Sequence, residues 1–488
     1  MKQLLLFKRS LSLGFISIAF VLCSVPVHAQ VNKGMPDIKD VILTFFSKYD
    51  QTAIQEDGYL KFEKRESGWC ITKMKYEDNM PAFKSILFWD KAKQKYESLP
   101  FKRCVNPGVA ASEDKLEEYN SSLFLDEIEY YNYRTNLYYG YLGWDWDVIQ
   151  YASTKPAVTD SLLEAFGKAY TTYAITYFYN QFGESIVNDD PERIKLNDNE
   201  PIPGSRVPRF LQYERKAIDA LTQLSKLNGS YQTKIGNIQW RVADEKFFAY
   251  ITLRFIGYEK EAQQFLDGLE FPDSLTSRAK QILDETAPNS ILFTEKDNVT
   301  YPVWYLQAKG YRTDVIAVDE NMLVLRRMVA WLDKKYNDSL FSTDSSVYMN
   351  PQFDFALFNH DYATGDTMRL DSFLERLYNS PYLTQISNGN KTTYFTDDKT
   401  FKFFTKNIYI DVDTLKAAQF FGSNHFEPKI YPCINKDVLY SFDMLVLDII
   451  KQQFLKKHIY FSYIPAYPCG KKYLLHRNYT WELMPVQE

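Results

Sequence analysis

The sequence predicts an α+β multi-domain protein: a small N-terminal β module, central α-helical hairpins of tetratricopeptide-like form, and a C-terminal α/β domain with a mostly parallel sheet. Three observations carry this. Residues 57–104 alternate apolar and polar side chains in short runs, the period-two pattern of half-buried strands. From about 112 to 287 apolar residues recur at helical spacing. From 288 onward strand-like and helix-like runs take turns, the order that builds a parallel sheet with right-handed crossovers. The boundaries that follow are a leader at 1–29, a β-rich module at 30–111, helical hairpins at 112–287 and an α/β domain at 288–488.

The leader comes first. Lys2, Lys8 and Arg9 precede an uncharged, mostly apolar run from Ser10 to Val27, and Val27-His28-Ala29 offers a small-residue cleavage site before Gln30. That order predicts a cleaved secretory signal peptide and an exported, periplasmic chain. The alternatives are a retained anchor and a lipid on Cys23, which bulky Leu22 disfavours. No later apolar run approaches the ~20 residues that cross a bilayer, so the mature chain is expected to have no transmembrane segment. Removing the leader takes the net charge from −5 to −8. An acidic chain has no overall footprint for nucleic acid or anionic lipid.

Four cysteines follow the leader: Cys70, Cys104, Cys433 and Cys469. In an exported protein an even number reads as disulfides, and proximity in sequence suggests Cys70–Cys104 and Cys433–Cys469. A metal site from Cys433, His458, Cys469 and His476 has no zinc-like spacing. No metal and no cofactor are expected.

In the β module, Tyr59–Lys64 and Trp69–Tyr76 read as strands around a turn at Glu66-Ser67-Gly68, with a further hairpin across Asp90-Lys91-Ala92. In the helical region, Ser161–Phe178 carries Leu162, Ala165, Phe166, Ala169, Tyr173 and Tyr177 at helical spacing. Asp160 or Thr159 is its expected N-cap. Helices are also expected over 209–227, 238–257, 259–269 and 274–285, after a proline-rich loop at 188–208. No strict repeat of roughly 34 residues is visible. In the last region Ser290–Thr294 and Thr313–Val318 read as strands. Pro302 is placed in the first turn of a helix ending at Gly310, and Met322–Tyr336 is expected as a second helix.

The stretch Ile291-Leu-Phe-Thr-Glu-Lys-Asp-Asn-Val-Thr-Tyr-Pro-Val-Trp-Tyr-Leu-Gln307, followed by Arg312-Thr-Asp-Val315, resembles a pattern in a family of large bacterial multi-spanning membrane proteins. Those proteins are similar to protein O-mannosyltransferases and carry a soluble C-terminal region. The pattern there reads Phe-Thr-x-Gly-Asp-Asn-Asp-Thr-x-Pro-Leu-Trp-Tyr-x-Gln, then Arg-x-Asp-Val. Leu445–Tyr463 and Asn478–Pro485 resemble later parts of the same region, so the resemblance covers residues about 288 to 488. Lys296 stands where the family has Gly, and Val299 where it has a second Asp. The transferase chemistry of those relatives belongs to membrane spans that this chain lacks. The resemblance therefore implies a shared soluble domain, not a shared reaction.

The best candidate site is the loop after the first strand of that domain, with Lys296, Asp297, Asn298 and Thr300. In open α/β sheets ligands bind at the C-terminal strand edge, and a helix N-terminus offers free N–H groups. Arg312 and Asp314 join the ligand-binding candidates. The competing expectation is that Asp297 and Thr300 only cap the helix. Tyr139, Tyr141, Trp144 and Trp146 form the densest aromatic run, a candidate surface for stacking sugar rings, against ordinary loop packing. No His-x-x-x-His pair, Gly-x-Ser-x-Gly elbow or phosphate-binding Gly-rich loop is present, so catalytic residues cannot be named. The sequence thus points to a non-enzymatic scaffold or binding module of the cell envelope with a protein or glycan as partner. The alternative is an envelope enzyme acting on a glycan through the strand-end edge.

Overall fold

The computed structural model describes residues 35–49, most of 58–103, most of 144–178, 201–336, 339–342 and segments of 355–485. The leader, Tyr139, Tyr141, Cys104, Cys433 and Cys469 lie outside the described residues.

Helix α1 (Ile38–Lys48) begins at Asp37, whose carboxylate accepts the Asp40 N–H at 2.9 Å. It packs Phe45 edge-on against Phe62 and Phe88 of an antiparallel meander, β1 (Gly58–Arg65), β2 (Gly68–Glu77), β3 (Met80–Asp90) and β4 (Lys95–Tyr96), in that order. The expected β module is therefore present. Its first turn needs Gly68: the residue has φ 141°, and an added Cβ would sit 1.9 Å from the Trp89 carbonyl oxygen.

The helical region holds α2 (Trp144–Ala152), α3 (Asp160–Ile175), α4 (Arg206–Leu227), a short hairpin β5 (Gln232–Thr233) and β6 (Gly236–Asn237), then α5 (Ile238–Phe255), α6 (Glu259–Leu266) and α7 (Asp273–Glu285). The N-cap of α3 is Thr159, whose hydroxyl accepts the Leu162 N–H. Gly167 lets α3 and α4 approach closely; a Cβ there would lie 2.7 Å from Leu221. The helices pack as neighbours, but with lengths of 16, 22, 18, 8 and 13 residues from α3 to α7 they show no tetratricopeptide-like repeat.

The C-terminal region is built on a mixed five-stranded sheet. It contains β7 (Ile291–Thr294), β8 (Ile316–Asp319), β16 (Ile459–Phe461), β17 (Leu474–His476) and β18 (Trp481–Leu483) in the order β17-β18-β16-β7-β8. Between β8 and β16, β9 (Phe355–Leu357), β10 (Thr367–Arg369), β11 (Leu383–Asn388), β12 (Lys391–Thr396), β13 (Asn407–Asp411), β14 (Lys429–Ile430) and β15 (Val438–Tyr440) form smaller sheets. The three strands β16, β7 and β8 are parallel, whereas β18 runs antiparallel to β16 and β17 antiparallel to β18. The parallel strands are buried along their whole length, as parallel sheets are.

Helix α8 (Asp297–Ala308) joins β7 to β8. It starts earlier than Pro302 suggested, so Pro302 lies in its second turn and removes the helical donor to the Asn298 carbonyl. The second expected helix divides into a 3-10 turn (Asn321–Val324) and α9 (Arg326–Lys335). Between β8 and β16 the chain also forms α10 (Leu370–Asn379), α11 (Thr414–Phe421) and the buried α12 (Ser441–Gln453), with two strand pairs and one three-stranded sheet.

Buried apolar residues of all three regions join in one core. Among the described residues, no helix is long and apolar enough to cross a membrane.

Candidate functional site

Because β7, β8 and β16 are parallel, the loops after them share one edge. Strand β7 ends at Thr294, β8 at Asp319 and β16 just before Ser462, whose N–H donates to the Phe293 carbonyl at 2.9 Å. The start of α8 is held to this edge by side chains. The Thr300 hydroxyl lies 2.9 Å from that of Thr294 and donates to the Asp319 carboxylate, which also accepts the Met322 N–H at 2.9 Å. Burial pushes the Asp319 carboxyl up to about 6, outweighing the hydrogen bond from Thr300.

The N-cap position of α8 is Lys296, and no side-chain cap bond is made there. Capping by Asp297 and Thr300 is therefore not what starts this helix; Thr300 ties it to β7 and β8 instead. Lys296 has φ 72°, a conformation glycine takes freely. Its ammonium points to solvent, 71% exposed and 3.5 Å from Glu295. Asp297 is the first residue of α8. It keeps an exposed surface, yet crowding around its carboxyl raises it, with Arg241 opposing. Asn298 buries a side-chain oxygen without a hydrogen-bond donor, and the hydroxyls of Ser462 and Tyr463 are likewise buried and unpaired.

Helix α5 supplies the opposite wall. Arg241, Asp244 and Glu245 fall on one helix face by their i, i+3 and i+4 spacing. Arg241 pairs with Asp244 at 3.1 Å and with Glu245. Glu245 also accepts the Thr171 hydroxyl of α3. Burial pushes Asp244 up to about 7 against the pull of Arg241, and one of its oxygens has no donor. The Phe247 and Tyr301 rings, 5.2 Å apart, fix α5 against α8. Tyr301 is held well above its ordinary range, first by burial and then by Asp297 and Asp244.

The remaining sequence candidates go elsewhere. Arg312 and Asp314 precede β8 and so lie at the other end of the sheet. There Arg312 donates to the carbonyls of Leu283, Thr286 and Ala287 and pairs with Asp314 at 2.9 Å. It locks the α7–β7 corner and does not reach the Asp297 loop. Trp144 is buried in the core, and Trp146 stacks on Tyr173 at 5.2 Å. Neither is displayed as a stacking surface, because Trp144 is buried and the Trp146 ring is taken up by Tyr173 of α3. Cys70 is buried on β2. Among the described residues, no group of His, Cys, Asp and Glu is arranged to hold a metal ion.

An open cleft of about 720 Å³ lies at that other end, lined by Glu285, Tyr460, His476, Arg477 and Asn478 among others. Its charged groups already have partners. Glu285 accepts from the N–H groups of Asn478 and Tyr479 and from the Thr480 hydroxyl. Arg477 and His458 both pair with Glu482. A cleft with satisfied charges has less to offer a ligand than an edge with polar atoms left over.

Sequence reasoning missed Asp319, Arg241, Asp244 and Glu245, and also Glu214, a residue of α4 that is completely buried. Asp319 had a signal, since it closes a short buried strand of a parallel sheet. The residues of α4 and α5 had none beyond charges inside an otherwise apolar helical pattern.

Residues 275–487 match the family model described as TMEM260-associated domain 2. The match spans less than half of the chain. It begins within α7 and takes in the five-stranded sheet, the Asp297 loop and Asp319. The matched segment thus contains the strand-end edge but not the acidic wall, which α5 contributes from outside it. No curated protein and no solved structure matches the chain.

Proposed function

We propose that the protein is an exported module of a cell envelope that binds a protein or glycan at the strand-end edge around Asp297. The observation that carries this is the convergence there of polar atoms without protein partners: the Asn298 oxygen, the Ser462 and Tyr463 hydroxyls and one Asp244 oxygen. Nearly all buried polar atoms of folded proteins are paired, so leftover ones concentrated at one edge call for a ligand or ordered water. Most of these atoms are acceptors or hydroxyls, which suits the hydroxyl groups of a sugar or the amides of a peptide better than a phosphate. Lys296, turned to solvent beside Glu295, adds nothing for an anion. Export rests on the leader, and the pairings Cys70–Cys104 and Cys433–Cys469 go with it. That the TMEM260-associated segment corresponds to the soluble region of the O-mannosyltransferase-like bacterial membrane proteins is part of the same reading; the motif around Asp297 and Asn298 supports it.

The test is a glycan array and a peptide array probed with the mature protein, followed by calorimetric titration of any hit. Binding that weakens at least tenfold in Asp297→Ala and is unchanged in Lys296→Ala supports the proposal. Binding indifferent to Asp297 refutes it.

One observation favours the second reading, an enzyme acting on a glycan. The carboxyls of Asp319 and Asp244 are pushed up to about 6 and about 7, into the range where a general acid works near neutral pH. Product release from a reporter glycoside, lost in Asp244→Asn, would establish it.

A further inference from the structure

Glu214 on α4 has no solvent exposure, and no protein donor reaches either of its carboxyl oxygens. Its side chain faces that of Glu245. Two carboxylates cannot hydrogen-bond to each other; the bond exists only when one of them carries a proton. Glu245 already accepts from Arg241 and from Thr171, whereas no donor reaches the oxygens of Glu214. The proton therefore sits on Glu214, which donates to Glu245. We infer that this buried Glu214–Glu245 pair holds a single proton that fastens α4 to α5, and that its loss in alkaline solution loosens the helical wall of the strand-end site. The inference rests on the reading of that edge as the binding site and names its regulation.

The surroundings supply too little positive charge to hold a second carboxylate. Arg241 is shared between Glu245 and Asp244 on α5. From α3, Lys168 acts on Asp244 and Thr171 on Glu245. From α8, Asp297 and Tyr301 add an acid and a phenol, and Asp319 of β8 adds another acid. An ionised Glu214 would join acids already in excess, in an interior that solvates charge poorly. Burial and the Glu245 charge accordingly hold the Glu214 carboxyl well above its ordinary range. The link to the site is α5 itself, which carries both Glu245 and Phe247, the latter against Tyr301.

The experiment compares the wild-type chain with Glu214→Gln above about pH 8, where Asp244 and Asp319, raised to about 7 and about 6, have lost most of their protons. Glutamine offers an N–H to Glu245 at every pH and cannot ionise. Melting temperature and amide exchange in α4, α5 and residues 299–301 are followed as pH rises. The wild type should lose melting temperature and protection, and Glu214→Gln should hold both. Equal losses in the two proteins overturn the inference. Should Glu214→Gln fail to fold, infrared spectroscopy of the wild type decides. A protonated-carboxyl band at neutral pH that titrates away in alkali supports the shared proton, and its absence overturns it. None of these readouts uses a ligand. A proton lock without ligand binding would therefore sink only the site reading, and binding without the lock only this inference.

Discussion

The Thr300 hydroxyl donates to the carboxylate of Asp319, joining the first turn of α8 to the end of β8. Both residues are essentially without solvent exposure, so neither can exchange the other for water. Thr300→Val keeps the shape and removes the donor. It should cost about 1–3 kcal/mol, the penalty of leaving a buried acceptor unsatisfied. Thr300→Ser keeps the hydroxyl and should cost less. Urea unfolding of the two variants checks the order; equal losses would mean that methyl packing, not the hydrogen bond, holds this corner.

Lys296 offers the opposite expectation. With φ 72° and no side-chain cap bond, it occupies a conformation that side chains disfavour, while its own head group is solvated. Lys296→Gly should relieve the strain and stabilise the protein by about 1 kcal/mol, with the entropy glycine gains in the unfolded chain offsetting part of the effect. Thermal unfolding reads the sign. A lower melting temperature would show that the lysine stem contributes packing that outweighs its backbone strain.

Period and punctuation made much of the fold legible. The alternation around Trp69 and Ile71 produced the meander, and the apolar run at Ile291–Phe293 produced β7. The same signals misplaced the start of α8, because Pro302 is commonest in a first turn and here lies in the second. They could not show the antiparallel edge either: Leu474–His476 and Trp481–Leu483 are three-residue strands too short for a period to register. At the site, Asp297 and Asn298 stood out because they follow a buried strand at the start of a helix. Glu214 and Asp244 did not, because a charged residue in a helix is usually solvated. Only the packing of α4, α5 and α8 makes these two buried. Arg312 and Asp314 lie close to Asp297 in sequence, yet the length of β8 separates them from it in space.

The buried carboxyls set a pH dependence whose sign can be worked out. Asp319 moves from an ordinary 3.8 to about 6 in the folded protein, chiefly through burial. The folded state then binds a proton that the unfolded chain has released between those values. Stability from this group is complete below about pH 4 and is lost as pH rises to about 6, by roughly 3 kcal/mol. Asp244, raised to about 7 by burial, extends the fall to neutrality. The carboxylate-based loss on acidification that many proteins show should therefore be opposed here. Asp319→Asn, which cannot titrate, should flatten the unfolding free energy between about pH 4 and about pH 6. An unchanged slope in that variant would place the proton uptake on other groups.

Two substitutions at opposite ends of β8 separate architecture from binding. Arg312 donates to three backbone carbonyls around the end of α7 and holds Asp314 with two further bonds. A lysine has a single ammonium and cannot reproduce that fork. Arg312→Lys should therefore lower stability by about 2 kcal/mol and leave binding at the strand end intact in the folded protein. Asp297 makes no side-chain hydrogen bond among the described residues and caps nothing. Removing it should change stability by less than about 1 kcal/mol, the upper range of a first-turn carboxylate near the helix dipole. The burden of Asp297→Ala should fall on ligand affinity instead. Melting curves and titrations of both variants, run side by side, give a crossed pattern if the strand end is the site. A stability loss at Asp297 as large as that at Arg312, with binding unaffected, would assign the loop to architecture alone.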